Sequence, residues 1–381
     1  MQTAFEKFGE DKRHHIINNF TAAAIEACGP AYHQEFIRDL LILLKTKKNW
    51  SMARHCYAPY YPDKTRNGSI LWEEIMLHGD SSGYYIPKEE SSLVFRCREL
   101  LSHLFPTLEP HGLMIGPGSA WARLAKEIPA LRSMGVVNAS AWDLNPKFAD
   151  GAAEDIGREL QIPVQAIVGD FTKPLPDKIR LPETRPIVAT MFGSTITQFS
   201  LLDQKNGNSP SLCGFLNNLH NVTYGNSFIL ATIDSNLDTE RSLDCYRGRH
   251  FRTWQNWLWD FTAYMTGDNR FNPRSIEYFP KVDPETRAVI HSHIVMENTR
   301  IRINNECFRL KKGDLLEIGI SQKYTPEEIK AAASHCDWEE IAVLRDNGSV
   351  RLLLYMDKHM SKEWATRVKS ALKRAPANML G

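Results

Sequence analysis

Two glycines that close an apolar run constrain this chain more than any other feature. Residues 112–119 read GLMIGPGS, and a helical pattern follows from Ala120 to Leu131. The order strand, tight turn, helix is typical of the opening of a nucleotide-binding βαβ unit. Glycine at positions 116 and 118 lets the backbone approach a ligand where a Cβ would clash. The sequence therefore predicts an α/β fold that binds a ligand at this turn.

Three more predicted strands end in residues suited to such a ligand. Segment 136–142 leads into Asp143, segment 164–168 into Asp170 and Phe171, and segment 186–191 into FGSTI. Open α/β sheets bind ligands at the C-terminal ends of parallel strands, where an acid can bind ribose hydroxyls. We expect Asp143 to do so, and Asp170 and Phe171 to contact an adenine. The alternatives are capping or surface roles for both acids, and a core role for Phe171. The predicted cofactor-binding residues are Gly116, Gly118, Ser119, Asp143, Asp170, Phe171, Gly193 and Ser194.

The glycine turn favours a nucleoside without phosphates. It lacks the third glycine of the dinucleotide motif, and the chain shows no Gly-Lys-Ser/Thr phosphate loop. Neither a dinucleotide nor a nucleoside triphosphate is favoured. S-adenosylmethionine fits these limits and is the predicted cofactor.

Several motifs resemble one family of enzymes. They are DF at 170–171, FGSTI at 192–196, NGSILWEEI at 67–75, YYIP at 84–87 with Glu90, and ISQKY at 320–324 with Pro326 and Glu327. Together they resemble the histidine Nα-methyltransferase family of the ergothioneine pathway, which depends on S-adenosylmethionine. The resemblance spans about residues 63 to 357. It implies a Rossmann-like class I methyltransferase domain of the α/β class and a second, smaller α+β substrate domain.

The resemblance also implies a domain order. Residues 1–90 and 237–323 would form the substrate domain, residues 91–236 the S-adenosylmethionine-binding domain, and residues 324–381 its closing helix and hairpin. By the same resemblance Tyr84 and Tyr246 would be catalytic, contacting the substrate near its amino group. Trp72 and Tyr84 could instead be core aromatics held by packing. The implied substrate-binding residues are Lys64, Trp72, Tyr84, Gln198, Tyr246, Gly319 and Ser321.

Departures from the family pattern concern the substrate. Lys64 takes the place of a tyrosine and Trp72 that of a phenylalanine. Gln198 replaces an asparagine and carries its amide one methylene farther out. Gly319 stands where the family has a glutamate that resembles a binder of the histidine imidazole, whereas Ser321 is kept. Glu317 lies on the same strand face and is an alternative source of the carboxylate. We therefore expect a substrate other than histidine.

Composition limits the partners. The 46 basic and 45 acidic residues give no net field that would attract nucleic acid or an anionic membrane. No apolar run reaches the ~20 residues of a membrane span, and the N-terminus lacks a signal-peptide core, so we expect a cytoplasmic protein. The seven cysteines are odd in number and lack Cys-x-x-Cys spacing. They indicate neither a disulfide framework nor a metal site.

Three functions are compatible with these features. The first is N-methylation of the amino group of a small amino-acid-like metabolite. The second is transfer or cyclisation of the aminocarboxypropyl arm of S-adenosylmethionine, which would release methylthioadenosine instead of S-adenosylhomocysteine. The third is a methyltransferase-like binding protein without turnover, against which the retained Asp143, Asp170 and Ser321 argue. The sequence leaves the oligomeric state open.

Overall fold

The computed structural model describes residues 22–63, 65–78, 83–105, 108–175, 179–193, 195–200, 211–345 and 348–375. This part of the chain divides into two compact units. The first unit comprises residues 22–72, Arg249–Lys281 and Ile290–Gly319. The second unit comprises Glu73–Gly248, Val282–Val289 and the residues from Ile320 onward. Each unit is described by itself below.

The helices of the described chain are numbered in chain order. They are α1 (Pro30–Thr46), α2 (Gly68–Leu77), α3 (Ile86–Leu104), α4 (the consecutive segments Ala120–Ala122, Arg123–Glu127 and Ile128–Ser133), α5 (Pro146–Leu160), α6 (Leu212–Val222), α7 (Thr239–Arg247), α8 (Arg249–Thr266), α9 (Pro326–His335) and α10 (Lys362–Arg374). The middle segment of α4 is a π-helical turn. Short 3₁₀ helices cover Trp50–Tyr57, Thr195–Gln198 and Pro273–Ser275.

The strands form one large sheet and smaller ones. They are β1 (His111–Ile115), β2 (Asn138–Asp143), β3 (Val164–Val168), β4 (Ile187–Met191), β5 (Ser227–Asp234), β6 (Ile276–Tyr278), β7 (Lys281–Asp283), β8 (Ala288–Val295), β9 (Thr299–Ile303), β10 (Glu306–Leu310), β11 (Leu315–Ser321), β12 (Trp338–Arg345) and β13 (Val350–Asp357). The large sheet has the order β12-β13-β5-β4-β1-β2-β3. The described part of the chain thus has the mixed α/β architecture expected from the sequence.

The pairing within the large sheet determines where its loops meet. Strands β3, β2, β1, β4 and β5 are parallel to one another, with Ile115 opposite Trp142 and Met191 opposite Ala231. β13 is inserted antiparallel between β5 and β12. The C-terminal ends of β1, β2, β4 and β5 therefore lie along one edge of the sheet, which is where open α/β sheets bind their ligands.

One face of the large sheet is covered by α6 and α9. Alternate residues of β1, β4 and β5 point to this face because side chains alternate along a strand. The strand residues of this core are Leu113, Ile115, Ile187, Ala189, Met191, Ile229, Ala231 and Ile233, and the helix residues include Phe215, Leu216, Leu219, Ile329 and Ala333. Full burial of each large aliphatic side chain stabilises the fold by roughly 1.5–3 kcal/mol. This core gives the strand ends a rigid support.

A disulfide joins the same two helices. Cys213, in the first turn of α6, is bonded to Cys336, which caps the C-terminus of α9. The other five cysteines, all among the described residues, are not part of a disulfide. The sequence did not indicate this pair, because two cysteines 123 residues apart carry no spacing signal.

The first unit contains an aromatic helix. Trp254, Trp257, Trp259 and Phe261 of α8 are all buried, and the rings of Trp257 and Phe261 stack with centroids 4.9 Å apart. The burial of all four aromatic side chains is typical of a helix packed in a core. Within the described residues, none of the helices combines the length and apolar character that crossing a bilayer requires.

Candidate functional site

The glycine turn after β1 requires glycine for its backbone conformation. Gly116 and Gly118 both have φ of 63°, in the left-handed region that other residues rarely adopt. Ser119 ends the turn as the N-cap of α4, and its hydroxyl accepts a hydrogen bond from the Ala122 N–H at 3.2 Å. Capping leaves the other first-turn N–H groups of the helix available to a ligand. The turn has the form that the sequence predicted.

Arg123 holds this turn in place. Its Nη1 donates to the carbonyl oxygen of Gly118, and its Nε and Nη2 donate to Asp155 Oδ2 at 2.9 and 2.7 Å. Arg123 begins the π-helical turn of α4, a feature that is frequent at functional sites. The sequence analysis missed this residue, because the sequence alone does not show whether an arginine in a helix is buried or exposed.

Asp143 ends β2 beside the glycine turn. Its Oδ1 accepts the Asn145 N–H at 2.8 Å, and the side chain is buried. Burial raises the pKa of Asp143 to about 6, against the lowering effect of backbone N–H groups of Asn145 and Gly118. The carboxylate therefore lies next to the first glycine turn, as the sequence predicted.

Asp170 and Phe171 follow β3. The Asp170 carboxylate accepts from the Thr172 N–H at 3.0 Å and from the Thr172 hydroxyl at 2.6 Å, and it pairs with Lys173 at 3.3 Å. A Cβ added to Gly116 would lie 3.8 Å from the Phe171 ring, so this ring borders the glycine turn. Phe171 also packs against the core under α6, the alternative considered for it, and its contact with an adenine stays a prediction.

Gly193 is fixed by a buried glutamate. Its N–H donates to Glu90 Oε1 at 2.8 Å, and its φ is 76°. Glu90 is fully buried and also accepts from Lys126 Nζ at 2.6 Å and from the Thr232 hydroxyl. One carboxylate on α3 thus connects the loop after β4 to β5 and α4. Ser194, the last of the predicted cofactor-binding residues, lies outside the described residues.

A second polar network lies at the end of β5. Lys323 Nζ donates to Asp234 Oδ2 at 2.6 Å and to the Tyr246 hydroxyl at 3.3 Å, and the Tyr85 hydroxyl donates to Asp234 Oδ2 at 2.8 Å. Both Lys323 and Asp234 are buried. Burial would lower the pKa of Lys323, but the oxygens of Tyr246 and Asp234 outweigh it and raise that pKa. Lys323 is therefore a buried cation.

Tyr246 and Ser321 belong to this network. The hydroxyl oxygens of Tyr246 and Ser321 are 2.8 Å apart. Burial raises the pKa of Tyr246 to about 12, although Lys323 opposes the shift. The ring of Tyr84 lies 5.9 Å from that of Tyr246, between centroids. The structure thus brings together three residues predicted from three distant segments: Tyr84, Tyr246 and Ser321.

Three other predicted substrate residues are placed differently. Trp72 and Gly319 belong to the first unit, where the Trp72 ring packs on Trp254 at 4.8 Å and on Tyr57 at 5.2 Å. Gln198 has an exposed side chain at the end of its 3₁₀ helix. Lys64 lies outside the described residues. Trp72 thus packs among aromatic side chains, as a core residue would, and its role in substrate binding stays a prediction.

Gly319 has no room for a larger residue. A Cβ at this position would lie 2.7 Å from the Ala53 Cβ, closer than side-chain carbons approach, and 3.6 Å from the His291 ring. His291 is in turn held by the Tyr278 hydroxyl at 2.8 Å from its Nδ1. A glutamate at 319 would therefore require Ala53 to move. Glu317, the alternative carboxylate, pairs with Lys281 at 2.7 Å.

Sequence reasoning missed part of the second network. Tyr85, Asn236 and Lys323 were not predicted as site residues, although Tyr85 and Lys323 stand inside quoted motifs. Asn236 Nδ2 donates to the Tyr85 hydroxyl at 3.0 Å. The available signal was the lysine of the ISQKY motif, two residues after the end of β11. Among the described residues, no group of three or more histidine, cysteine or acidic side chains is arranged to hold a metal ion.

Comparisons with known proteins bear on these arrangements. The family described as "Histidine-specific methyltransferase, SAM-dependent" matches residues 48–357. No curated protein sequence matches significantly.

Among solved structures, the pyocyanin biosynthetic protein PhzM is similar, at 12% identity, 90% coverage of this chain, 72% of that chain and a TM-score of 0.38. Human N-acetylserotonin methyltransferase in complex with SAM is similar at 12% identity, with 88% coverage of this chain, 70% of that chain and a TM-score of 0.35. The SAM-bound amino pentose methyltransferase CalS10 from Micromonospora echinaspora is similar at 9% identity, with 74% coverage of this chain, 95% of that chain and a TM-score of 0.33.

Proposed function

Because the chain belongs to the S-adenosylmethionine-dependent family described as histidine-specific methyltransferases, we propose that it methylates the amino group of a small amino-acid-like metabolite other than histidine. The observation that supports this choice most is the space at Gly319. The side chains of Ala53 and His291 occupy the space in which the family's glutamate side chain would begin. The position is therefore adapted to glycine by its neighbours, and not merely left without a carboxylate.

The residues at the sheet edge fit S-adenosylmethionine. We assign the backbone of Gly116 and Gly118 to close approach, Asp143 to the ribose hydroxyls, and Asp170 and Phe171 to the adenine. Asp143 supports this assignment because it is a buried carboxylate beside a helix N-terminus with a pKa raised to about 6. When bound, this cofactor supplies an electrophilic methyl group on a sulfonium.

The residues around the amine have positioning roles. In-line displacement requires a neutral amine held in line with the methyl group, and the protein contributes mainly orientation and exclusion of water. Tyr84 and Tyr246 are the residues that we assign to this task. With a pKa of about 12, the Tyr246 hydroxyl stays protonated near neutral pH and acts as a hydrogen-bonding group. Tyrosine faces also attract a sulfonium by about 0.5–2 kcal/mol.

The domain roles are part of the proposal. Residues 91–236 and 324–381 would bind the cofactor, and residues 1–90 and 237–323 would select the substrate. Trp72 contributes to this selection through the aromatic cluster that it forms with Tyr57 and Trp254. Gln198, with its exposed amide, and Lys64 are assigned to the polar end of the substrate.

Product analysis tests the proposed function. Purified protein is incubated with S-adenosylmethionine and pooled amino acids, and the products are identified by mass spectrometry. We expect S-adenosylhomocysteine together with an N-methylated amino acid other than histidine. Methylthioadenosine would indicate transfer of the aminocarboxypropyl arm, and efficient methylation of histidine would contradict the substrate assignment. Asp143→Ala serves as the control, since it should reduce product in proportion to lost cofactor binding.

A further inference from the structure

Lys323 can only donate hydrogen bonds. A lysine ammonium has three donors and no acceptor. Its Nζ lies 2.6 Å from Asp234 Oδ2 and 3.3 Å from the Tyr246 hydroxyl oxygen, and its side chain is 1% exposed. The Tyr246 oxygen therefore accepts from Lys323. This fixes the first step of a directed chain of hydrogen bonds.

The next hydrogen bond in this chain joins Tyr246 to Ser321. A phenol oxygen that accepts from an ammonium keeps its own hydrogen for another partner, and Ser321 Oγ lies 2.8 Å away. If Tyr246 donates to Ser321, the serine hydrogen points to a further acceptor. Hydrogen bonds in such a chain polarise one another, so a buried cation at the start strengthens the donor at the end.

Lys323, the first donor in this chain of hydrogen bonds, is held in place by Asp234. Asp234 accepts from Lys323 and from the Tyr85 hydroxyl on Oδ2, and from the Asn236 N–H on Oδ1 at 3.1 Å. Asn236 Nδ2 donates to the Tyr85 oxygen at 3.0 Å. Because the carboxylate receives donors on both oxygens, it orients Lys323 toward Tyr246. Asp234 is fully buried, which keeps water from competing for these bonds.

We propose that Lys323 is a positioning residue that makes Ser321 a hydrogen-bond donor, and that the substrate is an amino acid whose side chain carries a hydrogen-bond acceptor. This rests on the proposed function of the site. β11 ends at this donor, and Lys323 and Tyr246 lie in the same unit of the chain. A neutral ring nitrogen, carbonyl or ether oxygen meets this requirement.

Two ring-isosteric amino acids test the proposal. Phenylalanine and 4-pyridylalanine have the same shape, and only the second has an acceptor in the ring. At about pH 8, where a pyridine is neutral, release of S-adenosylhomocysteine gives kcat/KM for each. We expect the unmodified protein to prefer 4-pyridylalanine by about tenfold, the value of one buried hydrogen bond. Equal use of the two, or preference for phenylalanine, overturns the proposal.

Variants separate the role of Lys323 from a purely structural one. Lys323→Met alone would leave Asp234 buried without its cation, so the double variant Lys323→Met with Asp234→Asn is used as well. In the double variant and in Ser321→Ala, we expect the ratio of kcat/KM for 4-pyridylalanine to that for phenylalanine to fall close to one. A parallel loss on both substrates, with the preference intact, would show a structural role and overturn the proposal.

Two controls complete the test. Lys330→Met removes an exposed lysine that pairs with Glu340 at 2.9 Å, and it should leave the preference and both rates unchanged. Calorimetric titration with S-adenosylmethionine verifies that each variant still binds cofactor. Absence of S-adenosylhomocysteine with every amino acid tried contradicts the proposed function itself, and is thereby distinguished from equal use of the two rings.

Discussion

At the scale of the residue, the cofactor-binding role that we propose for Asp143 would couple binding to pH. Its pKa in the free protein is raised to about 6, because burial penalises the carboxylate. An acid whose pKa is higher in the folded state stabilises the fold at low pH, and this stabilisation is lost as pH rises through 6. A ligand that donates hydrogen bonds to the carboxylate favours the ionised form, and so must compete with the proton below pH 6.

We predict that the Kd for S-adenosylmethionine rises about tenfold between pH 7 and pH 5. Titration calorimetry across this range measures it. Asp143→Asn should bind more weakly and lose the pH dependence. Glu127→Gln is the matched control, since Glu127 is a buried acid whose pKa burial raises to about 7 while Thr190 donates to it at 2.7 Å. A flat profile in the unmodified protein would refute the assigned role of Asp143.

Position 319 gives a second prediction at this scale. Gly319→Glu alone should lower stability without conferring histidine methylation, because its Cβ meets Ala53 at 2.7 Å. The overlap belongs to backbone-linked carbons, which cannot rotate away. Adding Ala53→Gly removes the obstructing methyl group and should raise the kcat/KM for histidine above that of either single variant. Kinetics with histidine, alongside urea unfolding, decide the point. Higher histidine use by Gly319→Glu alone would show that Ala53 moves to make room for the glutamate, and would contradict this prediction.

At the scale of the element, α3 is tied to the sheet by one carboxylate. Glu90 accepts from Lys126, Gly193 and Thr232, which belong to α4, the loop after β4, and β5. Removing one member of a buried ion pair typically costs about 3–5 kcal/mol, whereas replacing both by apolar residues costs far less. The geometry of the Gly193 loop therefore depends on a helix that precedes the sheet in the chain.

We expect Glu90→Gln to lower the free energy of unfolding by about 3 kcal/mol and to weaken S-adenosylmethionine binding. Glu90→Leu combined with Lys126→Met should recover most of the stability but not the binding, because Gly193 still lacks its acceptor. Urea unfolding and calorimetry give the two quantities. Recovery of both together would mean that Glu90 acts on stability only.

Local patterns predicted most elements well. The glycine turn, β2, β3, β4, β5 and the β12–β13 hairpin follow from apolar runs and their breaks, which are properties of adjacent residues. Pairing choices were harder. β8 pairs with β6, β7 and β11, whereas β9, the next strand in the chain, pairs with β10. Partner choice depends on tertiary packing that a short window does not contain.

The candidate site shows the same division. Asp143 and Asp170 could be singled out because the first ends β2 and the second lies two residues after β3. The Lys323 network was not, because its members come from distant parts of the chain and meet only in the fold: Tyr85, Asp234, Asn236, Tyr246, Ser321 and Lys323. Burial converts an ordinary lysine into a fixed donor, and burial is not readable at one position of a sequence.

At the scale of the whole molecule, the Cys213–Cys336 bond joins distant parts of the chain. It closes a loop of 123 residues between α6 and α9. In the chain-entropy account, a closure of this length stabilises the fold by about 4–5 kcal/mol. The two helices cover the core of the large sheet, so the bond supports the sheet to whose edge we assign the cofactor.

Thiol labelling of the denatured protein tests this bond. We predict five alkylated cysteines before reduction and seven afterwards, counted by mass spectrometry. Cys213→Ser should lower the free energy of unfolding by about 4 kcal/mol in oxidising buffer and by much less with a reductant present. Cys307→Ser, at an exposed free thiol, is the matched control. Seven labelled cysteines before reduction would contradict the bond.

The place of β13 in the large sheet has a consequence for biosynthesis. β5 pairs along one side with β4, but its other neighbour is β13, which the ribosome makes more than a hundred residues later. At roughly 5–20 residues per second, the emerging polypeptide holds an open strand edge for many seconds. Such an edge invites pairing with other nascent chains. Translation speed and chaperone access over this interval should therefore govern the yield of functional protein.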